Sequence, residues 1–135
     1  MAHTPFHVEV LTPEGEVFND EVEMVSTKTS VGSIGLLANH APILAMLEPT
    51  ELRLYKSDSE VVRFAQAEGY MQVASGRVLL LVEEAHAPSE LDAAQLRERL
   101  QQAERELQDA GEDTEKRRVA LRDRNRWETF LRVAG

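Results

Sequence analysis

Four histidines, one pair of neighbouring glutamates and one glycine-rich stretch are the residues from which this sequence could build a reactive centre. His3, His7, His40 and His86 fall in no HxxH or HExxH spacing, so they do not converge on one metal ion. Glu83 and Glu84 are adjacent, and on a strand their carboxylates point to opposite faces, where they cannot work as an acid–base pair. No serine lies in a GxSxG elbow, and no GxxxxGK(S/T) loop is present to cradle phosphate. The absence of cysteine removes thiolate metal sites, disulfides and cysteine nucleophiles together. A catalytic residue, a metal and any other cofactor are therefore not expected.

The glycine-rich stretch is Gly32-Ser33-Ile34-Gly35-Leu36-Leu37-Ala38-Asn39-His40-Ala41-Pro42. Neither a lysine nor a helix follows it, as a phosphate site would require. Its two glycines predict tight backbone turns, because glycine tolerates positive φ, and Pro42 closes the segment by fixing φ. Ile34, Leu36 and Leu37 give it more apolar surface than a solvent loop carries. Such a loop either tucks under a sheet or meets a partner. His40 taken alone reads as a loop histidine bonded to a backbone carbonyl.

The elements that would position this loop change character once along the chain. Up to about residue 85 the pattern is that of strands. Phe6, Val8 and Val10 alternate with His7 and Glu9, Val22 and Met24 flank Glu23, Leu52 and Leu54 alternate with Glu51 and Arg53, and Val62 and Phe64 flank Arg63. The run Val78-Leu79-Leu80-Leu81-Val82 predicts a central strand buried on both faces. Turn signals at Thr12-Pro13-Glu14-Gly15, Ser57-Asp58-Ser59, Glu68-Gly69 and Ser75-Gly76 separate these runs. A β-sandwich or flattened barrel of about ten short strands, spanning residues 1–87, is the fold expected.

Residues 88–135 are expected to form an antiparallel α-helical hairpin. Ser89-Glu90-Leu91-Asp92 predicts a capping box, and Ala93, Leu96, Leu100, Ala103, Leu107 and Ala110 follow 3-4 spacing along one face. Gly111 then predicts a helix stop, with Asp113 or Thr114 capping the next helix. The second seam, Ala120, Arg124, Trp127, Leu131 and Ala134 with Phe130 beside it, is poorer, because Arg124 stands where leucine would pack better. The three leucines of the first seam are worth about 5–9 kcal/mol before chain entropy is subtracted. A hairpin so thin needs the β-domain to dock on and could leave it cheaply; opened, its ~45 residues reach roughly 65 Å. That combination predicts a switch element.

Bulk properties agree with a globular chain. Of its 135 residues 42% are apolar and 29% charged, and no apolar run approaches a membrane span. The N-terminus shows no secretory signal, and a cytoplasmic address is expected. The net charge of −9 is unevenly spread. Residues 1–87 carry 5 basic and 13 acidic side chains, residues 88–113 carry 3 and 8, and residues 114–135 carry 7 and 3. An acidic body argues against nucleic acid as a partner, whereas a basic last segment suits an acidic protein surface.

The stretch at 32–42 resembles the G-x-I/L-G-I/L-L-x-x-H-A-P loop of the ε subunit of bacterial F-type ATP synthase. The resemblance runs along the chain. Phe6-His7-Val8-Glu9-Val10-Leu11-Thr12-Pro13-Glu14-Gly15 is similar to that family's opening strand and turn. Ala67-Glu68-Gly69-Tyr70-Met71-Gln72-Val73 is similar to its G-F/Y-x-x-V strand, and residues 78–85 to the strand closing its sandwich. The resemblance implies a non-catalytic rotor subunit of the central stalk, peripheral at the cytoplasmic face of the bacterial membrane and not inserted in it. Its implied partners are the γ subunit, the c-ring and the α and β subunits of the catalytic head (F1). Coupling of proton flow to ATP synthesis would then run through the sandwich, with Gly32, Ser33, Ile34, Gly35, Leu36, Asn39, His40 and Pro42 facing γ and the c-ring. The extended hairpin would inhibit ATP hydrolysis, with Lys116, Arg117, Arg118, Arg122, Arg124 and Arg126 meeting acidic segments of β.

Two departures from the family pattern carry consequences. Ser33 stands where an acidic residue is frequent, which weakens any ionic contact of the loop. The I/L-D-x-x-R-A motif of nucleotide-binding members is kept only at Leu91 and Asp92, with Gln95 and Leu96 replacing the arginine and alanine. Losing that guanidinium removes charge-assisted hydrogen bonds to phosphate, so ATP binding is expected to be weak or absent. The alternative readings are an adaptor or chaperone built from a β-body and a coiled coil, and an enzyme or nucleotide-binding domain. The polar residues 108–115 at the hairpin tip count against the former, and no motif supports the latter.

Overall fold

The computed structural model describes residues 3–135. Within them lie ten strands followed by two helices: β1 Phe6–Thr12, β2 Gly15–Val22, β3 Met24–Thr29, β4 Gly32–Leu36, β5 Ile43–Leu47, β6 Thr50–Tyr55, β7 Val61–Gln66, β8 Gly69–Ala74, β9 Arg77–Val82, β10 Ala85–His86, α1 Ala93–Asp109 and α2 Thr114–Ala134. The strands run in the order β10-β7-β6-β3-β5-β8-β9-β1-β2, with β4 on the free side of β3. One bridge, Thr29 to Leu47, joins β3 to β5 and links the β4-β3-β6-β7-β10 half to the β5-β8-β9-β1-β2 half. The result is the expected flattened barrel.

Alternation places the core. Val8, Val10, Val25, Leu36, Leu52, Leu54, Met71 and Leu80 are fully buried between the two halves. Two of the expected patterns are corrected. A one-residue bend at Glu23, whose N–H donates to the Tyr55 carbonyl at 2.7 Å, separates β2 from β3. The buried phase therefore jumps from Val22 to Val25, and Met24 faces the other way. The 78–82 run is not buried on both faces either: Val78, Leu80 and Val82 point inward, while Leu79 is half-buried and Leu81 exposed.

The polar interior is satisfied. Gln66, fully buried, accepts from the Thr27 hydroxyl at 2.7 Å and donates to the carbonyls of Glu48 (3.0 Å) and Ala67 (3.2 Å). No described side-chain N or O atom is buried without a partner.

The helices start differently from the capping box expected. Pro88–Glu90 forms a single 3-10 turn in which the Glu90 carboxylate accepts from the Ala87 N–H at 3.2 Å. Helix α1 begins after it, capped by Asp92, whose carboxylate accepts from the Gln95 N–H at 3.2 Å. Ser89 lies inside the 3-10 turn and caps nothing, because Pro88 fixes the turn one step too early for it. At the far end Gly111 adopts φ +55° and Asp113 caps α2 through the Lys116 N–H at 3.0 Å, as the sequence predicts.

Of the first seam, Leu96, Ala103 and Ala110 are buried and Ala93, Leu100 and Leu107 half-buried. In α2 the fully buried set is Ala120, Thr129, Phe130 and Val133, so Phe130 is central rather than beside the seam. It packs with Val133 and Leu96 on Ala65 and Ala67, forming a second core with Leu91, Trp127, Leu131 and Ala134 at its margin. Helix α2 therefore has two duties, one face toward α1 and another toward β6 and β7.

At Gly69 the chain of β8 passes so close to β9 that an added Cβ would collide with the Leu81 carbonyl oxygen and lie 2.7 Å from Val82 Cα. Both are backbone atoms and cannot turn aside. Gly69→Ala is expected to lower the unfolding free energy by about 3 kcal/mol, as read by urea denaturation; an unchanged midpoint would refute the packing described.

Candidate functional site

The outer face of the β5-β8-β9 half is where apolar side chains meet water. Leu44 is 75% exposed, Met46 58%, Tyr70 54% and Leu81 46%. Pairing puts Met46 opposite Tyr70 and Tyr70 opposite Leu81, so these three form one row across the strands. The neighbouring row runs Leu44, Gln72, Leu79. Directly paired side chains stand about 5 Å apart, so the two rows make one contiguous patch rather than scattered apolar residues.

The sequence does not mark these residues as a surface, although it carries a signal. Residues 43–47 and 78–82 are apolar at both alternating phases, and a strand with two apolar faces is either central or waiting for a partner. In this fold both strands have neighbours on each side, and one apolar face of each lies on the exposed side of the sheet.

The stretch expected to be a loop is partly a strand. Gly32, Ser33, Ile34, Gly35 and Leu36 form β4 against β3, and only residues 37–42 are irregular. Gly32 does adopt φ +131°, but Gly35 is extended and turns nothing. Leu36 is fully buried and Ile34 packs against the same core, so Leu36 faces inward rather than toward a partner. In the remaining loop the His40 N–H donates to the Leu37 carbonyl at 3.1 Å, and its Nδ1 lies 2.8 Å from the Ala41 carbonyl oxygen. Asn39, His40 and Pro42 are accessible or nearly so. At the other end, Val31 protrudes from the β3–β4 turn, 96% exposed. The Thr29 hydroxyl fixes this turn, accepting from the Val31 N–H (3.2 Å) and donating to the Gly32 carbonyl (3.0 Å).

The six cations of α2 separate into two groups. Lys116, Arg117, Arg118 and Arg122 are solvent-exposed, though Arg118 pairs with Glu115 and Arg122 with Asp123. Arg124 is half-buried and lies 3.9 Å from Glu128 on its own helix. Arg126 is different. Its side chain is only 12% exposed, and it reaches the sandwich, pairing with Glu68 and, at 2.9 Å, with Glu84. Burial pushes its guanidinium pKa down, yet arginine stays charged throughout the working range. In the docked hairpin it is not available to an outside partner. The pairs span 58 and 42 residues, beyond the reach of any local pattern.

Beside this junction is a cleft of about 200 Å³ lined by Glu84, Glu90, Asp92, Gln95, Arg99 and Trp127 among others. It holds the positions Leu91 and Asp92 kept from the nucleotide motif. Leu91 packs on the second core and the Asp92 carboxylate is engaged in capping α1. The Arg99 guanidinium lies over the Trp127 ring, 5.0 Å from its centre. Three carboxylates against one lining arginine make the cleft a poor place for a polyphosphate. No group of His, Asp and Glu able to hold a metal occurs among the described residues, and no described helix is long and apolar enough to cross a membrane.

The molecule thus offers two surfaces of different character, an exposed apolar sheet face and a second helix whose first half carries exposed cations. Its family is shown directly: the chain belongs to the ATP synthase delta/epsilon chains, whose β-sandwich domain matches residues 5–88. It is 38% identical over 107 residues to the ATP synthase epsilon chain of Halalkalibacterium halodurans, covering 79% of this chain and 80% of that one. To the epsilon chain of Sulfurihydrogenibium sp. it is 32% identical over 129 residues, 96% of each. Among solved structures, a chain of the Euglena gracilis mitochondrial ATP synthase superposes with a TM-score of 0.83 at 18% identity, covering 100% of this chain and 84% of that one. At that identity the likeness speaks for the fold, including the two helices.

Because Met46 and Tyr70 face outward, replacing both by serine is expected to change the unfolding free energy by no more than about 1 kcal/mol. Chemical denaturation checks this, and a loss typical of a core position would contradict the exposed row.

Proposed function

We propose that this chain is the epsilon-type subunit of the central stalk of a proton-translocating ATP synthase, without catalysis of its own. The observation that carries the proposal is the contiguous apolar face of Leu44, Met46, Tyr70 and Leu81 on a family member's sandwich. Residues 1–87 form the coupling part. Their apolar face docks on the γ subunit, and the β4 edge with the loop at Asn39, His40 and Pro42 approaches the c-ring. Gly32, Ser33, Ile34 and Gly35 form that edge, and Leu36 holds it from inside. Torque thus passes between ring and γ through a rigid body, peripheral to the membrane on its cytoplasmic side.

Residues 88–135 form the regulatory part. Released from the sandwich, the hairpin extends along γ, and Lys116, Arg117, Arg118, Arg122 and Arg124 meet acidic surface on the β subunits of the head, restraining ATP hydrolysis. Nucleotide does not set this switch. Titrating the chain with MgATP is expected to give no saturable heat, and stoichiometric binding would overturn the point.

Two measurements test the rest. Tyr70→Ser with Leu81→Ser is expected to weaken association with γ at least about 100-fold, since buried aromatic anchors dominate interfaces; unchanged affinity would remove the apolar face from the contact. ATP hydrolysis by the αβγ complex is expected to fall with the full-length chain and not with residues 1–87. Equal rates with both would leave a coupling subunit whose tail is silent, and failure to bind γ at all would reject the stalk role.

A further inference from the structure

We propose that Arg126 is the latch that holds the hairpin docked, gripping a pair of carboxylates that the sandwich presents ready-made. This deepens the regulatory reading above by assigning the contact that sets how readily the tail is released.

The apolar part of the dock is small. Phe130 and Val133 rest on two alanines, Ala65 and Ala67, and alanine offers little surface to bury. The polar part is better built. Glu68 precedes β8 and Glu84 precedes β10, and their segments are tied together independently of the helices. Ala67 donates its N–H to the Glu84 carbonyl at 2.9 Å, and Glu83 donates its own to the Glu68 carbonyl at 3.0 Å. Glu84 is further oriented by His86, whose Nε2 lies 2.9 Å from Glu84 Oε1. Two like charges are therefore fixed side by side before α2 arrives. Arg126 answers both at once, with Nη1 donating to Glu84 Oε2 and the Nη2–Nε edge facing Glu68. A planar guanidinium can bridge two carboxylates in this way; an ammonium cannot match the fork.

The same geometry makes the latch reversible. Arg126 lies largely desolvated against Trp127, its guanidinium 5.5 Å from the ring centre, and the desolvation of an ion pair offsets much of its attraction. Breaking one side alone is costly, because it leaves charge unpaired under the helix. Releasing the whole hairpin lets water solvate all three groups together. The latch thus favours two states, fully docked and fully free, over a loosened hairpin.

The test is a double-mutant cycle in the isolated full-length chain, read by amide hydrogen exchange of the two helices, with exchange of β1 and β9 as the control for folding. Arg126→Gln is expected to accelerate helix exchange by about tenfold or more, with strand exchange unchanged. Glu68→Gln with Glu84→Gln is expected to accelerate it as well, by stranding the arginine. The triple variant is expected to be no faster than either, because no charge is left unpaired. Equal acceleration by Arg126→Gln in both backgrounds, or none in either, would overturn the latch. Arg126→Lys, which keeps the charge and loses the fork, is expected to fall between wild type and Arg126→Gln; full protection in it would refute the bridging geometry. Since no partner subunit is present in these measurements, their failure is separate from any failure of the stalk assignment.

Discussion

Two cores meet along one strand, and that shared strand is the constraint on which the rest of the molecule depends. Val62 and Phe64 of β7 pack toward the sandwich interior, whereas Ala65 and the following Ala67 belong to the helical core. Gln66 sits between them, fully buried, with its amide spent on Thr27, Glu48 and Ala67. A polar side chain so completely paired is costly to disturb. It fixes the register of the strand that must face both ways. With that register held, Ala65 and Ala67 leave room for Phe130, and Glu68 is carried to the place where Arg126 finds it.

The first core owes nothing to the helices. Every residue of it precedes Pro88, so the hairpin can be added or withdrawn without opening the sandwich. The opposite is not true, since the second core is completed only by β7 and its continuation. This asymmetry separates the two kinds of surface the molecule offers. One is apolar and carried by strands; the other is cationic and carried by a helix.

Most of the fold was legible in the sequence because it rests on local periods. Alternation at Phe6, Val8 and Val10 and at Leu52 and Leu54 named core positions correctly, and the change of spacing after Pro88 located the helices. Gly111 and Asp113 marked the turn between them. What failed was whatever depended on knowing the neighbours. The 78–82 run looks buried on both faces because leucine does not announce whether its cover is the same chain or another. Ser89 looks like a cap until Pro88 is seen to start a 3-10 turn. Arg126 looks like one more exposed cation, since nothing near it in the sequence mentions Glu68 or Glu84. The family resemblance supplied roles for the 32–42 stretch, but not the fact that half of it is a strand with Leu36 turned inward.

The position of β1 has a consequence for how the molecule comes into being. It lies between β2 and β9, and its pairing with β9, His7 against Arg77 through Leu11 against Leu81, is parallel. β1 therefore waits for β9, about 65 residues further along, before its second edge is satisfied. Such distant pairing is slow to find, and the waiting chain exposes unpaired backbone. The sandwich cannot close until about residue 82 has emerged, and the helices, which follow β9 in the chain, emerge only after it. The two helices thus dock onto strands that have already found their partners.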